Sequence, residues 1–162
     1  MNNGGWNPGN LLEVSGAYWQ TCTLHAGVKL DLFTQLGGLS LNADQLAQSK
    51  DLDPRALAML LDALAAMGLL VKSGDRYANT AASLAFLSKD SRDYVGHMIL
   101  HHHHLVESWS RLDESVKSGK PVRTRASFSD GERRESFLMG MYNIQRHPFR
   151  GPTDSGIIFG TR

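Results

Sequence analysis

The residues with the most evident chemical potential are five histidines between positions 97 and 104, four of which are consecutive. If this segment is helical, consecutive side chains point about 100° apart, so four histidines in a row cannot all bind one metal ion. His97, His101 and His104 follow i, i+4, i+7 spacing and share one stripe, from which two imidazoles could bind Zn²⁺. A tetrahedral site, however, usually takes its ligands from more than one element.

Three interpretations of these histidines stay open in the sequence: a metal site, polar groups of a substrate pocket or interface, and structural or solvent-facing imidazoles. The run lies between apolar residues that continue a regular pattern on both sides, whereas an affinity tag stands at a terminus. We therefore predict a native helix that binds no metal ion, with His97, His101 and His104 as the candidate ligands should one bind.

The overall composition is that of an ordinary globular domain. The 162 residues are 41% hydrophobic and 20% charged, and a formal charge of +1 provides no general attraction to nucleic acid or anionic lipid. Cys22 is the only cysteine, which excludes an internal disulfide or a cysteine-based zinc site and fits a reducing compartment. Without a secretory leader or an apolar run long enough to span a bilayer, the sequence predicts a cytoplasmic protein with no nucleic-acid or membrane partner.

The first part of the chain has an excess of apolar residues at helical spacing. After a flexible leader over residues 1–9, the pattern predicts two helices that meet near Gly27 and end at Gly37 and Gly38. These helices carry more apolar side chains than one narrow inward stripe can hide, and such an excess usually marks a partner surface. The predicted interface residues are Leu11, Leu12, Tyr18, Trp19, Leu24, Val28, Leu32 and Phe33.

The middle of the sequence has the clearest boundary signals. Asn42 is the predicted N-cap of a short helix, and the next helix has Asp53 as N-cap, Pro54 at its first position and Gly68 after its end. The segments "LLVK", "SGD" and "RYANT" follow, and they predict a small β-hairpin with a tight turn. Helix, turn, helix and hairpin in this order indicate a winged-helix arrangement.

The second half is also predicted to be helical. One long helix runs from a cap at Ser91 to Gly119, a loop follows, and another helix covers residues 130–144. Residues 145–162 contain two prolines and three further glycines without a sustained period, so we expect an irregular tail. The predicted fold class is mainly α, a winged-helix-like domain with a small β-hairpin and additional long helices.

Four stretches resemble a known family in their order and spacing: "GVKLDLFTQL", "LDPRALAMLLDALAAMGLLVKSGDRYANTAAS", "ESWSRLDESVKSGKP" and "ESFLMGMYNI". Together they span roughly residues 10–144 and are similar to the N-terminal dimerisation domain of the S-adenosylmethionine-dependent O-methyltransferases that act on small molecules. The resemblance implies a winged-helix-like dimerisation domain over residues 10–144 and a homodimer whose first helices interlace. It also implies a role in methylating a hydroxyl group of a small aromatic acceptor.

In that family, a second, Rossmann-like domain carries the glycine-rich cofactor loop and the catalytic histidine. Here no strand is followed by a Gly-rich turn and a helix, "GIIFG" near the end being the closest string, and the family pattern stops at Gln145. We therefore predict no catalytic or cofactor-binding residues and no S-adenosylmethionine on this chain alone. The sequence indicates a truncated or separately encoded part of a methyltransferase, and a separately encoded catalytic domain is a further candidate partner.

The resemblance also suggests residues that contact the acceptor. The pattern F-x-x-G-M from Phe137 to Met141 matches a family pattern whose Phe and Met touch the aromatic acceptor, and flat apolar and sulfur contacts suit a planar ring. Ile99, Leu105 and Trp109 are further candidates by their position on the preceding helix. The alternative for all five residues is an ordinary place in the core.

Two other functions remain open. A winged helix can place its second helix in the major groove of DNA, but between Pro54 and Gly68 the only cation is Arg55, with Lys72 and Arg76 on the hairpin. A DNA reader needs several Lys or Arg contacts to phosphates, so this regulator hypothesis is the runner-up. The third hypothesis is a stand-alone dimerising or small-molecule-binding protein that caps a separately encoded catalytic chain.

Overall fold

The structure, a computed structural model, describes residues 5–122 and 131–146. Within these ranges, the chain forms nine α-helices and three β-strands, which confirms the predicted mainly α fold with a small hairpin. The elements in chain order are α1 (Pro8–Gly16), α2 (Tyr18–Lys29), α3 (Leu32–Leu36), β1 (Ser40–Asn42), α4 (Ala43–Gln48), α5 (Pro54–Ala66), β2 (Leu70–Ser73), β3 (Arg76–Asn79), α6 (Ala81–Leu87), α7 (Gly96–Trp109), α8 (Leu112–Ser118) and α9 (Gly131–Arg146). None of the helices in the described ranges has the length and apolar character needed to cross a membrane.

The boundaries of the first helices differ from those predicted from the sequence. The Asn7 side chain caps α1 by accepting from Gly9 N at 2.9 Å, so the helix begins inside the predicted leader. The predicted break near Gly27 is wrong, because α2 continues through this residue. A Cβ at Gly27 would lie 3.1 Å from both the Leu64 and the Phe33 side chain, so the glycine permits close packing rather than a break. The chain turns instead at Asp31, whose φ is 61°.

The capping predictions in the middle of the chain are confirmed. Asn42 Oδ1 accepts from Gln45 N at 2.9 Å and Gln45 Oε1 accepts from Asn42 N at 3.0 Å, a reciprocal capping box at the start of α4. Asp53 Oδ1 accepts from Ala56 N at 2.7 Å at the start of α5. Gly68 follows α5 with a φ of 74°, a left-handed conformation that glycine adopts without steric cost.

The predicted hairpin forms, and a third strand extends it. Strands β2 and β3 pair antiparallel, with Val71 opposite Ala78, and Gly74 in the turn has a φ of 61°. The short strand β1 pairs antiparallel with the other edge of β3, with Ser40 opposite Ala78, so the strand order is β1-β3-β2. Three residues are too few to show alternation, so this strand could not be predicted from the pattern of apolar residues.

One hydrophobic core joins α2 to α5 and the hairpin. Helix α5 contributes Leu57, Leu61 and Leu64, which recur along one face at helical spacing and are at most 3% exposed. The other buried apolar residues of this core are Val28, Leu32, Phe33, Leu36, Leu46, Ala47, Leu70, Tyr77 and Leu87. The predicted interface role of Val28, Leu32 and Phe33 is therefore wrong, because their side chains are enclosed by their own protomer.

The predicted single helix from Ser91 to Gly119 is in fact two helices. Helix α7 begins at Gly96, and the chain breaks at Ser110 and Arg111 before α8. Near the break, Ser110 Oγ donates to the Glu107 carbonyl oxygen at 2.8 Å, a local bond that competes with helical pairing. The predicted end is confirmed, because Gly119 closes α8 with a φ of 65°.

Helix α9 packs closely along α7. A Cβ at Gly140 would lie 3.0 Å from Met98 Cα, and Asn143 Nδ2 donates to the Tyr94 carbonyl oxygen at 2.7 Å. Because α9 reaches Arg146, the first two residues of the predicted irregular tail are helical. The remainder of that tail, the loop over 123–130 and the first four residues lie outside the described residues.

The glycine at the α7–α9 contact generates the first prediction. We expect Gly140→Ala to lower the free energy of unfolding by about 1–3 kcal/mol, because the new methyl group meets the α7 backbone, which cannot yield as a side chain can. Urea unfolding at one fixed protein concentration measures the change. Gly131→Ala in the same helix is the control: none of the described heavy atoms lies within 4 Å of its new Cβ, and alanine favours a helix by up to about 1 kcal/mol over glycine. Equal effects of the two substitutions would contradict the packing argument.

Candidate functional site

The outstanding surface of the described chain lies on α1 and the beginning of α2. Helix α1 has no buried residue. Glu13 is the only charged residue between positions 5 and 24. Five large apolar side chains of α1 and the beginning of α2 are between 52% and 72% exposed: Leu11, Leu12, Val14, Tyr18 and Trp19. We call these five residues the α1–α2 surface. Apolar side chains concentrated in this way mark a site of association.

The α1–α2 surface retains half of the eight predicted interface residues. Leu11, Leu12, Tyr18 and Trp19 belong to it, and their role in an interface stays a prediction. Leu24 is partly buried and packs against the core. The other three predicted residues are in the core, as described above. The sequence therefore located an apolar segment, but only its first half is open to a partner.

The histidines of α7 are divided between two neighbouring elements. On one side, the His101 ring lies 5.0 Å from the Phe137 ring of α9, and His104 Nδ1 lies 3.2 Å from Ser136 Oγ. On the other side, the His103 ring lies 5.5 Å from the His25 ring of α2. His97 contacts the Tyr94 ring at 5.1 Å. No group of three or more His, Cys, Asp or Glu residues within 5–122 and 131–146 could hold a metal ion.

Burial lowers the pKa of His25 on α2 and of two histidines of α7. His25 is 4% exposed, and desolvation, followed by the neighbouring His103 and His102, lowers its pKa. Burial also lowers the pKa of His102 and of His97, although Glu135 opposes the shift at His97. His25 Nδ1 is buried and has no hydrogen-bond partner among the described atoms, which adds a desolvation cost.

Two of the five predicted acceptor contacts line a common cavity in the described structure. Leu105 and Trp109 line an open cavity of about 300 Å³ together with residues of α2. Ile99 is half-buried against the core. Phe137 and Met141 lie on α9 and are 40% and 41% exposed. The contact of each residue with an acceptor stays a prediction, as does the absence of catalytic and cofactor-binding residues.

Sequence reasoning missed a second exposed apolar surface. Trp109, Leu112 and Val116 recur in the sequence at helical spacing, as an apolar stripe does, and they are 62%, 52% and 77% exposed. The helical spacing of these three apolar residues can be recognised in the sequence. Apolar periodicity shows that a helix has an apolar face. It does not show whether the same chain or another molecule covers that face.

The winged-helix segment uses its polar groups internally. Asp62 Oδ1 accepts from Lys72 Nζ at 2.5 Å and from the Tyr77 hydroxyl at 2.6 Å, and these hydrogen bonds, with Lys72 first, lower the Asp62 pKa. Arg76 Nη2 donates to the Ser40 carbonyl oxygen at 2.5 Å. Both hairpin cations that the regulator hypothesis invoked are thus engaged within the domain. These contacts favour a structural role of the hairpin over phosphate binding.

The lowered histidine pKa values generate a pH prediction. A histidine whose pKa is lower in the folded state contributes stability above its unfolded pKa near 6.5, and this stability is lost as the pH falls through the folded value. We therefore expect the free energy of unfolding to decline between pH 7.5 and pH 5, as measured by urea titration. His25→Gln should reduce the slope of this decline. A decline of equal slope in the variant would show that other groups cause it.

Residues 12–89 match a family model for the O-methyltransferase dimerisation domain. Over 141 residues the chain is 35% identical to the tetracenomycin polyketide synthesis 8-O-methyl transferase TcmO of Streptomyces glaucescens, covering 83% of this chain and 42% of that protein. An O-methyltransferase family protein from Burkholderia thailandensis has a similar structure, with a TM-score of 0.77 and 30% identity over 88% of this chain and 44% of its own. Human N-acetylserotonin methyltransferase in complex with SAM shares the fold, with a TM-score of 0.71 and 19% identity over 89% of this chain and 47% of its own.

The chain spans less than half of the length of these three relatives. The family match begins in α1 and ends just beyond α6, so it includes the caps of α4 and α5, the core and the hairpin described above as well as most of the α1–α2 surface. This confirms the resemblance seen in the sequence. Residues 12–89 of this chain are therefore an O-methyltransferase dimerisation domain.

Proposed function

We propose that this chain forms a homodimer through the α1–α2 surface. The observation that carries the proposal is the exposure of this surface within residues that match a dimerisation domain. A helix of nine residues is marginally stable by itself in water, and α1 has no buried residue within its protomer. A second copy would cover its apolar side chains. Obligate homodimer interfaces commonly bury about 2,000 Å² or more, which agrees with an association surface that extends over more than one helix.

The second part of the proposal is that the dimer serves methyl transfer from S-adenosylmethionine to a hydroxyl group of a small aromatic molecule. The name of TcmO supports the reaction and an aromatic polyketide as the kind of acceptor, and the SAM complex of the human neighbour supports the cofactor. Methyl transfer needs a cofactor pocket, an acceptor pocket and usually a general base in one geometry. We assign the cofactor pocket and the base to a Rossmann-like domain, on the same polypeptide or on a separately encoded chain.

The contribution of this chain to the acceptor pocket is proposed for α9. Phe137 and Met141 are partly exposed on this helix, so both side chains remain available to a planar ring. Gly140 lies between them and lets α9 approach α7 closely. In this arrangement, α9 is one wall of a pocket that a catalytic domain completes.

The homodimer is tested by sedimentation equilibrium. We expect the unmodified chain to be dimeric at micromolar concentration and Trp19→Asp to raise the dissociation constant by roughly 100-fold or more, because a charge would have to be buried at the interface. Met59→Asp is the matched control, since Met59 is 64% exposed on α5 and outside the α1–α2 surface. A monomer at every concentration of the unmodified chain would refute the proposed homodimer.

The assignment of the cofactor pocket is tested by calorimetry. Titration of S-adenosylmethionine into the 162-residue chain should give no heat of binding, because the described residues contain no strand followed by a Gly-rich turn and a helix to hold the adenosyl group. S-Adenosylmethionine binding with micromolar affinity would overturn this part of the proposal and leave the homodimer unaffected.

A further inference from the structure

His25 on α2 is a buried titratable group that lies outside the proposed acceptor wall. It is 4% exposed, and its Nδ1 is buried without a hydrogen-bond partner among the described atoms. A neutral imidazole can carry its single proton on Nε2, whereas a protonated imidazole donates from both nitrogens. Protonation of His25 would therefore place a buried N–H group at Nδ1, for which the described residues offer no acceptor, and an unsatisfied buried donor is costly.

Basic groups meet His25 where α2 packs on α7. The His103 ring of α7 lies 5.5 Å from the His25 ring, and His102 lines the same cavity as His25. Lys29, one helical turn along α2 from His25, has its Nζ 3.3 Å from His103 Nε2. We call His25, Lys29 and His103 the α2–α7 contact. Because an ammonium group can only donate, His103 Nε2 accepts this hydrogen bond, and the His103 ring is neutral in the contact.

The groups that act on the charge of His25 disfavour its protonation. Desolvation lowers its pKa most, and His103 and His102 lower it further. No acidic residue of the described ranges is among these causes. A charge on His25 would thus be buried beside other basic groups without a counter-ion from the described residues.

The acidic side chains on the elements that pack against α2 make their contacts elsewhere. On α5 the only acidic residue is Asp62, which accepts hydrogen bonds from the hairpin. Helix α3 has no charged residue, and Asp31 just before it lies 3.2 Å from Lys89 Nζ. On α7 the only acidic residue is Glu107, whose Oε2 lies 3.8 Å from Arg133 Nη2 of α9. The other histidines of α7 contact Tyr94 or α9: His97, His101 and His104.

Helices α7 and α9 are joined by contacts that do not involve His25. One of these is the hydrogen bond from Asn143 Nδ2 to the Tyr94 carbonyl oxygen, just before α7. The core of α2 to α5 and the hairpin receives from α7 the partly buried side chains of Ile99 and Leu100. Elements with few buried residues open locally at a lower cost than global unfolding. The pair α7–α9 is therefore suited to separate from the core as one unit.

We propose that protonation of His25 opens the α2–α7 contact and releases α7 together with α9, while the core of α2 to α5 and the hairpin stays folded. Opening gives the protonated ring access to water and separates it from the basic groups of α7. The folded pKa of His25 is lowered, so the closed contact contributes stability above the unfolded pKa near 6.5. This contribution is lost as the pH falls through the folded value.

The effect of this opening on an enzyme rests on the proposed function. Phe137 and Met141 move away from the core with α9, whereas the α1–α2 surface remains attached to the core through α2. At acidic pH the proposed homodimer would persist, and the proposed acceptor wall would lose its fixed position. The α2–α7 contact would then make methyl transfer sensitive to acid without dissociating the dimer.

Hydrogen exchange of the full chain, measured by mass spectrometry, tests the opening. The rates at pH 7.5 and pH 5 are corrected for the pH dependence of the chemical exchange step. We expect the corrected rates of α7 and α9 to rise about tenfold at pH 5, as a difference of one pKa unit allows, while the amides of α5 keep their protection. An equal rise in α5 would indicate global unfolding and overturn the inference.

Two substitutions assign the rise to His25. His25→Gln has a side chain that stays neutral, so the rise in α7 and α9 should fall below about twofold. Lys29→Met removes a cation of the α2–α7 contact at an exposed position, and it should also reduce the ratio of the two rates. This second variant decides the test if the buried His25 substitution prevents folding. His97→Gln is the matched control, because burial lowers the His97 pKa as well but its ring contacts Tyr94.

The outcomes separate this inference from the homodimer. A full rise in both His25→Gln and Lys29→Met would overturn the inference, and so would an equal loss of the rise in His97→Gln. A chain that is monomeric by sedimentation equilibrium but shows the expected exchange would refute the homodimer and leave the inference standing, because the α2–α7 contact lies within one protomer.

Discussion

The apolar surface that the protomer leaves uncovered is the constraint from which its proposed function follows. The core of α2 to α5 and the hairpin is complete without α1, since none of the α1 residues is buried. Removing exposed apolar area from water contributes about 25 cal/mol per Å², and this gain remains available for association after the protomer has folded. In the proposed homodimer, folding and association therefore depend on different halves of the same apolar segment. The division lies within α2, whose buried residues begin at His25.

The same division separates the features that could be predicted from the sequence from those that could not. Boundaries set by local chemistry could be predicted, because Asn42 and Asp53 hydrogen-bond backbone groups only three residues away. Gly27 shows the opposite case, since its role depends on Leu64, far away in the chain. The interface prediction failed for Leu32 and its neighbours for the same reason. Apolar periodicity specifies that a face is covered, but tertiary contacts decide whether the cover is the chain's own core or another molecule.

In the second half of the chain, apolar periodicity was also insufficient to predict where the helices begin and end. The stretch from Ser91 to Gly119 has a continuous apolar stripe, yet a local serine hydrogen bond accompanies a break that periodicity alone does not show. Helix α6 was missed because it is a single short element capped by Thr80 between two stronger signals. For the histidines, geometry was sufficient to separate the stripe at 97, 101 and 104 from its neighbours. The identity of the contacting helices needed the structure.

Helix α7 joins the two parts of the proposed function. One face packs on α9, where the His101 ring contacts Phe137, and the other borders α2, where the His103 ring contacts His25. A helix held from both sides cannot shift at one contact without disturbing the other, because packed interiors have few voids to absorb movement. A second copy bound to the α1–α2 surface would therefore act on α7 through α2, and through α7 on the position of α9. In the proposed enzyme, dimerisation thereby sets the position of the wall that α9 contributes to the acceptor pocket, which gives a physical reason why a methyltransferase would retain a dimerisation domain.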